Sequence, residues 1–305
     1  MPKRAAAVKK TNNTFASEGM RTQFERHCEK FDAAARRAEQ LGVGALFHNL
    51  FCSNIDDRRP IALFHSTQRT FRLVNEQRTS SSTLKGITRT LRRLFWPDYD
   101  YYKIPRRTTR GQSAAGGISL GSRVHSELDE ITRKRSIECD RASYTSAWRS
   151  ASAYTRDLIH TMEQKWGWEI LITEVPVLMH ETGMASAIDV VCYSHHSARL
   201  VLVELKTGYD DVMLIGSGGR MRCSLGVDDS PLNQAFVQIG VVAHALAAEA
   251  AVPISRFDCF VVQVNQRSIV PYQVPSTLLT ETVPLAYQRL IQRHLRRRRQ
   301  GRRRK

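Results

Sequence analysis

None of the six cysteines, at positions 28, 52, 139, 192, 223 and 259, belongs to a CxxC pair or stands at a spacing from histidine suited to a structural zinc or an iron–sulfur cluster. Folds stapled by such centres are excluded, and the scattered thiols point to a reducing compartment. Long apolar runs are also lacking: nothing approaches the roughly 20 residues that a membrane-spanning helix needs. The opening MPKRAAAVKK carries charge with no apolar stretch behind it. The expectation is a soluble, intracellular chain. Acidic residues are scarce, 29 against 46 Lys and Arg, and the net charge of +17 makes nucleic acid the expected partner through phosphate neutralisation and counterion release.

The excess is uneven. Arg296 to Arg299, Arg302 to Arg304 and Lys305 supply eight of these positive charges and leave nine elsewhere. The tail from His294 onward reads as a nuclear localisation signal, an electrostatic DNA anchor or a solvated charge run; PKR with Lys9-Lys10 is a weaker signal of the first kind. With 42% hydrophobic and 25% charged residues in a chain of 305, most of the protein should fold.

One helix is expected over Glu18 to Leu41. Around Phe95-Trp96-Pro97 and Tyr99 to Tyr102, aromatics interleave with Arg89, Arg92, Arg93, Lys103, Arg106, Arg107 and Arg110. That mixture suits a single-stranded nucleic-acid groove, and equally a loop packed on a core. The Gly-, Ser- and Thr-rich run Thr108 to Gly117 reads as a linker, so residues 1–110 are set apart as a basic N-terminal region. Beyond it, Leu120, Val124, Leu128 and Ile131 mark one face of a helix, and a second helix is expected over Ser143 to Trp166. Strand patterns occupy Glu169 to Met179, Ala187 to Tyr193, Arg199 to Lys206 and Phe257 to Val264, with helices over Leu232 to Ala248 and Pro284 to Leu295. The fold class is therefore α/β, a mixed central sheet flanked by helices. The main domain runs over 118–292, followed by a disordered Arg-rich tail over 293–305.

The chemistry concentrates in two strands. In VLVELKTG, Glu204 and Lys206 stand two residues apart and share a face of the sheet, and Asp189 in SAIDVV adds a carboxylate from another apolar strand. Charges buried in this way survive when paired or bound to metal. Two carboxylates with a lysine suit phosphodiester hydrolysis, in which hard oxygen ligands hold Mg²⁺ or Mn²⁺. Lys206 then orients or deprotonates water, or stabilises the transition state. The competing reading of an isolated ExK is a plain salt bridge at a strand end. Between Lys206 and Gln238, GSGGR at Gly216 to Arg220 lacks a following GKS/T, so it reads as a loop near the site with Arg220 and Arg222 as phosphate contacts, not as a nucleotide loop.

Asp189, fourteen intervening residues, then Glu204-Leu205-Lys206, all in apolar strands, resembles the signature of the PD-(D/E)xK nuclease superfamily. Gly121-Ser-Arg-Val-His125, Glu174 in ITEVPV and Gln238 in SPLNQAFVQIGVVAHAL occur in the order of its RecB-like branch. A herpesvirus nuclear protein family shares the ELKT strand and a following glutamine-bearing helix and is a close competitor; a large-DNA-virus origin would fit either. The resemblance covers about Gly121 to Val264 and implies a restriction-endonuclease-like core. It also implies a metal-dependent deoxyribonuclease, more an exonuclease than an endonuclease, working in DNA replication, repair or recombination. His125, Asp189 and Glu204 would be its metal ligands, Lys206 the catalytic lysine, and Glu174 a supporting group. Gln238, or Gln234 one turn earlier, would hold Lys206 or a phosphate. The branch's tyrosine four residues after that glutamine is here Val242. Tyr101, Tyr102, Arg106, Arg107 and Arg110 are the further DNA contacts expected. The alternative is a nucleic-acid-binding protein that keeps the fold without the catalysis.

Overall fold

The computed structural model describes residues 18–52, 61–65, 70–74, 79–97, 114–138, 141–208, 213–214, 221, 225–265 and 268–303. Helix α1, Glu18–Gln40, buries Phe24, Phe31, Ala34 and Ala38 on one face. It stops at Gly42, whose φ of 76° is the left-handed conformation open to glycine, while Val43 N and Gly42 N donate back to the carbonyls of Ala38 and Glu39. A short helix α2, Gly44–Phe47, follows. Strands β1, Ile61–His65, β2, Thr70–Val74, and β3, Thr79–Gly86, form an antiparallel meander that leads into α3, Ile87–Phe95.

Next come α4, Ala114–Arg133, α5, Arg141–Ser150, and α6, Ala153–His160. The continuous helix expected over Ser143 to Trp166 is broken at Ser152, which caps α6 by accepting from Thr155 N. The Glu127 carboxylate reinforces that cap, accepting from Ser152 N at 2.9 Å and from the hydroxyls of Ser152 and Thr155, both at 2.6 Å.

A long hairpin of β4, Trp168–Met179, and β5, Met184–Ser194, leads to β6, Arg199–Thr207. After it come α7, Pro231–Glu249, β7, Phe257–Val264, β8, Ile269–Gln273, and α8, Val283–Arg303. The eight strands make one mixed sheet in the order β1-β2-β3-β5-β6-β7-β8, with β4 on β5. β3 pairs β5 and β6 pairs β7 in parallel; the other pairs are antiparallel.

β6 alternates cleanly between two apolar cores. Leu200 and Leu202 join α1, α2, α3, α7 and α8 on one face, and Val201, Val203 and Leu205 join α4, α5 and α6 on the other. Helix α7 is apolar almost all round because it lies inside the first core. No described helix is long and apolar enough to cross a membrane.

Three expectations change. The described N-terminal residues do not form a region apart: β3 extends the central sheet, and Phe31, Phe47, Phe51 and Leu91 share a core with Val241 of α7. The linker expected up to Gly117 gives way to α4 from Ala114, and the tail expected to be disordered from residue 293 is helical as far as Arg303. Phe47 is fully buried at the join of the N-terminal helices with the main core. Phe47→Ala should cost about 3–5 kcal/mol and shift a single urea transition monitored by both circular dichroism and tryptophan fluorescence. Two separated transitions would mean that the N-terminal elements fold independently.

Candidate metal centre

Glu174 of β4 and Asp189 of β5 stand opposite each other, between the paired residues Thr173↔Val190 and Val175↔Ile188. Both interrupt the alternation of their strands. In β5, Ile188 belongs to the first core and Val190 to the second, so two residues of equal parity face opposite sides. In β4 the break is a left-handed Glu174, φ 52°, a conformation that costs a residue with a side chain roughly 1–2 kcal/mol.

The partner edge of β5 also divides here. β3 takes it at Met184 and Ala185, β6 takes it from Val190 to Ser194, and Asp189 lies in the gap. The ladder with β6 ends at Val190↔Val203, and beyond it Leu205 N donates to Asp189 Oδ2 at 2.6 Å. Asp189 thus holds the mouth of a fork between two strands.

His125 reaches the fork from α4. One turn earlier, Gly121 lets that helix sit against the end of β6, since a Cβ there would come within 2.7 Å of Thr207 Oγ1. His125 Nδ1 lies 2.6 Å from Glu174 Oε1 and 3.8 Å from Asp189 Oδ1. His125, Glu174 and Asp189 each offer a ligand atom, and these atoms all lie within 4.8 Å of one another.

Glu204, expected as a ligand alongside His125 and Asp189, is held differently. Its Oε1 accepts from Lys206 Nζ at 2.6 Å and from Gln238 Nε2 at 2.7 Å, and the side chain is almost fully buried. Glu174, expected only to support the site, stands in the compact cluster instead, brought there by the turn in its backbone. Gln238 bonds to Glu204 and not to Lys206, while Gln234 donates to the carbonyl of Asp229. Val242 is buried in the first core. Tyr101, Tyr102, Arg106, Arg107, Arg110, Arg220 and Arg222 lie outside the described residues.

The sequence reading missed three neighbours of the cluster: Lys30, Asp129 and Thr173. Asp129 carried a usable signal, standing one helical turn after His125 and so on the same face of α4.

The electrostatics are those of crowded carboxylates. Burial opposes a charge on His125, but Asp189, the hydrogen-bonded Glu174 and Glu204 together outweigh it and raise its pKa to about 9. Burial, then Glu204, pushes Asp189 up to about 8 against the pull of His125 and Lys206. An imidazole nitrogen with two carboxylates fits a divalent cation: the oxygens suit Mg²⁺ and Mn²⁺, and the imidazole widens the choice toward transition metals. Comparisons of the chain with protein-family models, with curated proteins and with solved structures found no match.

Both raised groups bind protons more tightly folded than unfolded. Their stabilising contribution is complete below the ordinary values of 3.8 for Asp189 and 6.5 for His125, and is lost as pH rises through about 8 and about 9. The melting temperature of the EDTA-treated protein should therefore fall between about pH 6 and about pH 9, and Asp189→Asn should flatten that slope. A slope equal to the wild type's in Asp189→Asn would show that this carboxyl does not carry the raised affinity for protons.

Proposed function

We propose that this protein is a metal-dependent deoxyribonuclease of the PD-(D/E)xK kind on a restriction-endonuclease-like core, using Mg²⁺, with Mn²⁺ able to replace it. The observation that carries the proposal is the meeting of His125, Glu174 and Asp189 at the β5–β6 fork, with Lys206 fixed on the adjoining strand by Glu204. A salt bridge at a strand end would account for Glu204 and Lys206 alone. It gives no reason for two further carboxylates and a histidine to converge on the same fork.

In this reading His125, Glu174 and Asp189 hold the cation. Asp189 also fixes the fork through Leu205 N, so that the ligands and the lysine keep one geometry. A bound divalent ion polarises a phosphoryl oxygen and lowers the pKa of water. Lys206 donates to Glu204 Oε1 and acts as a cation that stabilises negative charge growing on the phosphate oxygens. Glu204 and Gln238 set the position of that cation, and their burial keeps water from loosening it.

A DNA substrate is supported by the net charge of +17 and by the exposed Arg289 and Arg296 to Arg299 along α8. The resemblance at the site favours an exonuclease acting in replication, repair or recombination. The basic run of α8 would serve both as a nuclear localisation signal and as a DNA anchor.

When linear and closed circular DNA, single- and double-stranded, are incubated with Mg²⁺ or Mn²⁺, the wild type should cut the linear forms. Asp189→Asn and Lys206→Met should each be at least about 100-fold slower. Resistance of closed circles would identify an exonuclease. Wild type and variants that all bind DNA, and all fail to cut it, would replace this reading with a binding protein.

A further inference from the structure

Lys30 of α1 is 7% exposed and far from Glu174 in sequence, yet its ammonium ends beside the cluster. Lys30 Nζ donates to Asp129 Oδ1 at 2.5 Å and to the carbonyl of Thr173 at 2.9 Å. The same Asp129 oxygen accepts from Thr173 Oγ1 at 2.6 Å. One turn earlier on α1, His27 is kept neutral by burial and by Lys30, its pKa lowered to about 4.

The two acceptors matter because of their positions. Asp129 lies one helical turn after His125 on α4, so fixing Asp129 fixes the rotation of the helix that presents the imidazole. The Thr173 carbonyl belongs to the peptide plane immediately before Glu174. The orientation of that plane sets φ at Glu174, and there the backbone is left-handed. A charge-assisted hydrogen bond to this carbonyl offsets the conformational cost and keeps the Glu174 side chain aimed at His125.

We propose that Lys30 is a positioning residue for the metal centre: one ammonium, supplied by the N-terminal helix, holds the helix of His125 and the backbone of Glu174 in register. Two of the three members of the cluster depend on this contact. The proposal rests on reading the cluster as a metal site, and it extends that site to a segment whose sequence shows no chemical motif.

The test is Mn²⁺ titration of the full-length protein by calorimetry, with melting temperature followed in parallel. Lys30→Met keeps the length of the side chain and removes the charge; it should weaken Mn²⁺ binding by about 10- to 100-fold, and excess Mn²⁺ should restore DNA cleavage. Arg37→Met serves as the control for docking of α1, because Arg37 joins the same helix to β4 through Glu169, an exposed pair away from the cluster. It should leave Mn²⁺ affinity unchanged. Wild-type affinity in Lys30→Met, or an equal loss in both variants, overturns the proposal while the metal reading stands. A wild type that binds no Mn²⁺ removes the metal reading itself, and the proposal with it. Should Lys30→Met fail to fold, Asp129→Asn, which keeps the shape and one acceptor oxygen but weakens the hold of the ammonium, is titrated in its place. Wild-type affinity there overturns the proposal equally.

Discussion

A carboxylate inside an apolar strand has to be neutralised where it stands, and Asp189 imposes that requirement on every element around it. One oxygen takes the Leu205 amide that the diverging β6 leaves without a ladder partner, and the other faces His125. Because the carboxylate replaces a backbone acceptor, β5 and β6 can separate without stranding a buried N–H. The opening of the sheet and the placing of the charge are thus one event. Glu174 then has to meet the same histidine from the opposite strand, which an alternating β4 would not allow, and the backbone turns left-handed to bring it there.

The second group of charges obeys a different logic. Glu204 and Lys206 alternate normally on a regular strand, pointing into the core built around α7, where Gln238 completes the hydrogen bonding of Glu204. A buried ion pair of this kind contributes little net stability, since desolvation offsets most of the attraction. Its effect is geometric: it fixes an amine beside the fork. The centre is therefore assembled from two halves held in different ways, one by a backbone irregularity and one by a regular strand and a buried helix.

Legibility in the sequence followed the same division. β4 to β7 announce themselves through β-branched apolar runs, and β7 spans the residues expected of it, because strands covered by helices on both faces must carry apolar residues on both. β3, with the sequence TSSSTLKG, has no such pattern and joins the sheet through only two parallel pairs with β5. Its membership is decided by tertiary contact. Glu204, Lys206 and Asp189 stood out as charges in apolar surroundings. The place of Glu174 in the cluster did not, because no glycine marks the left-handed position and period-two reasoning carries straight through it. Lys30 and Asp129, 99 residues apart, reveal themselves only when the helices are packed.

The packing on both faces of the sheet explains how so irregular a site persists. A left-handed residue and a divided strand edge both reduce local stability, and they persist when the surroundings leave no alternative arrangement. Here the surroundings are two cores that meet at the sheet: Ile188 and Val175 belong to one, Val190 to the other, and these residues flank the two irregular positions. Slipping either strand to restore alternation would carry Val190 and Ile188 to the wrong faces and exchange buried valine and isoleucine for carboxylates, a loss of about 1.5–3 kcal/mol for each apolar side chain exposed. That loss exceeds the roughly 1–2 kcal/mol held in the backbone of Glu174. The apolar residues on either side keep the charged ones in place, and the N-terminal helix adds a cation at the peptide that precedes Glu174.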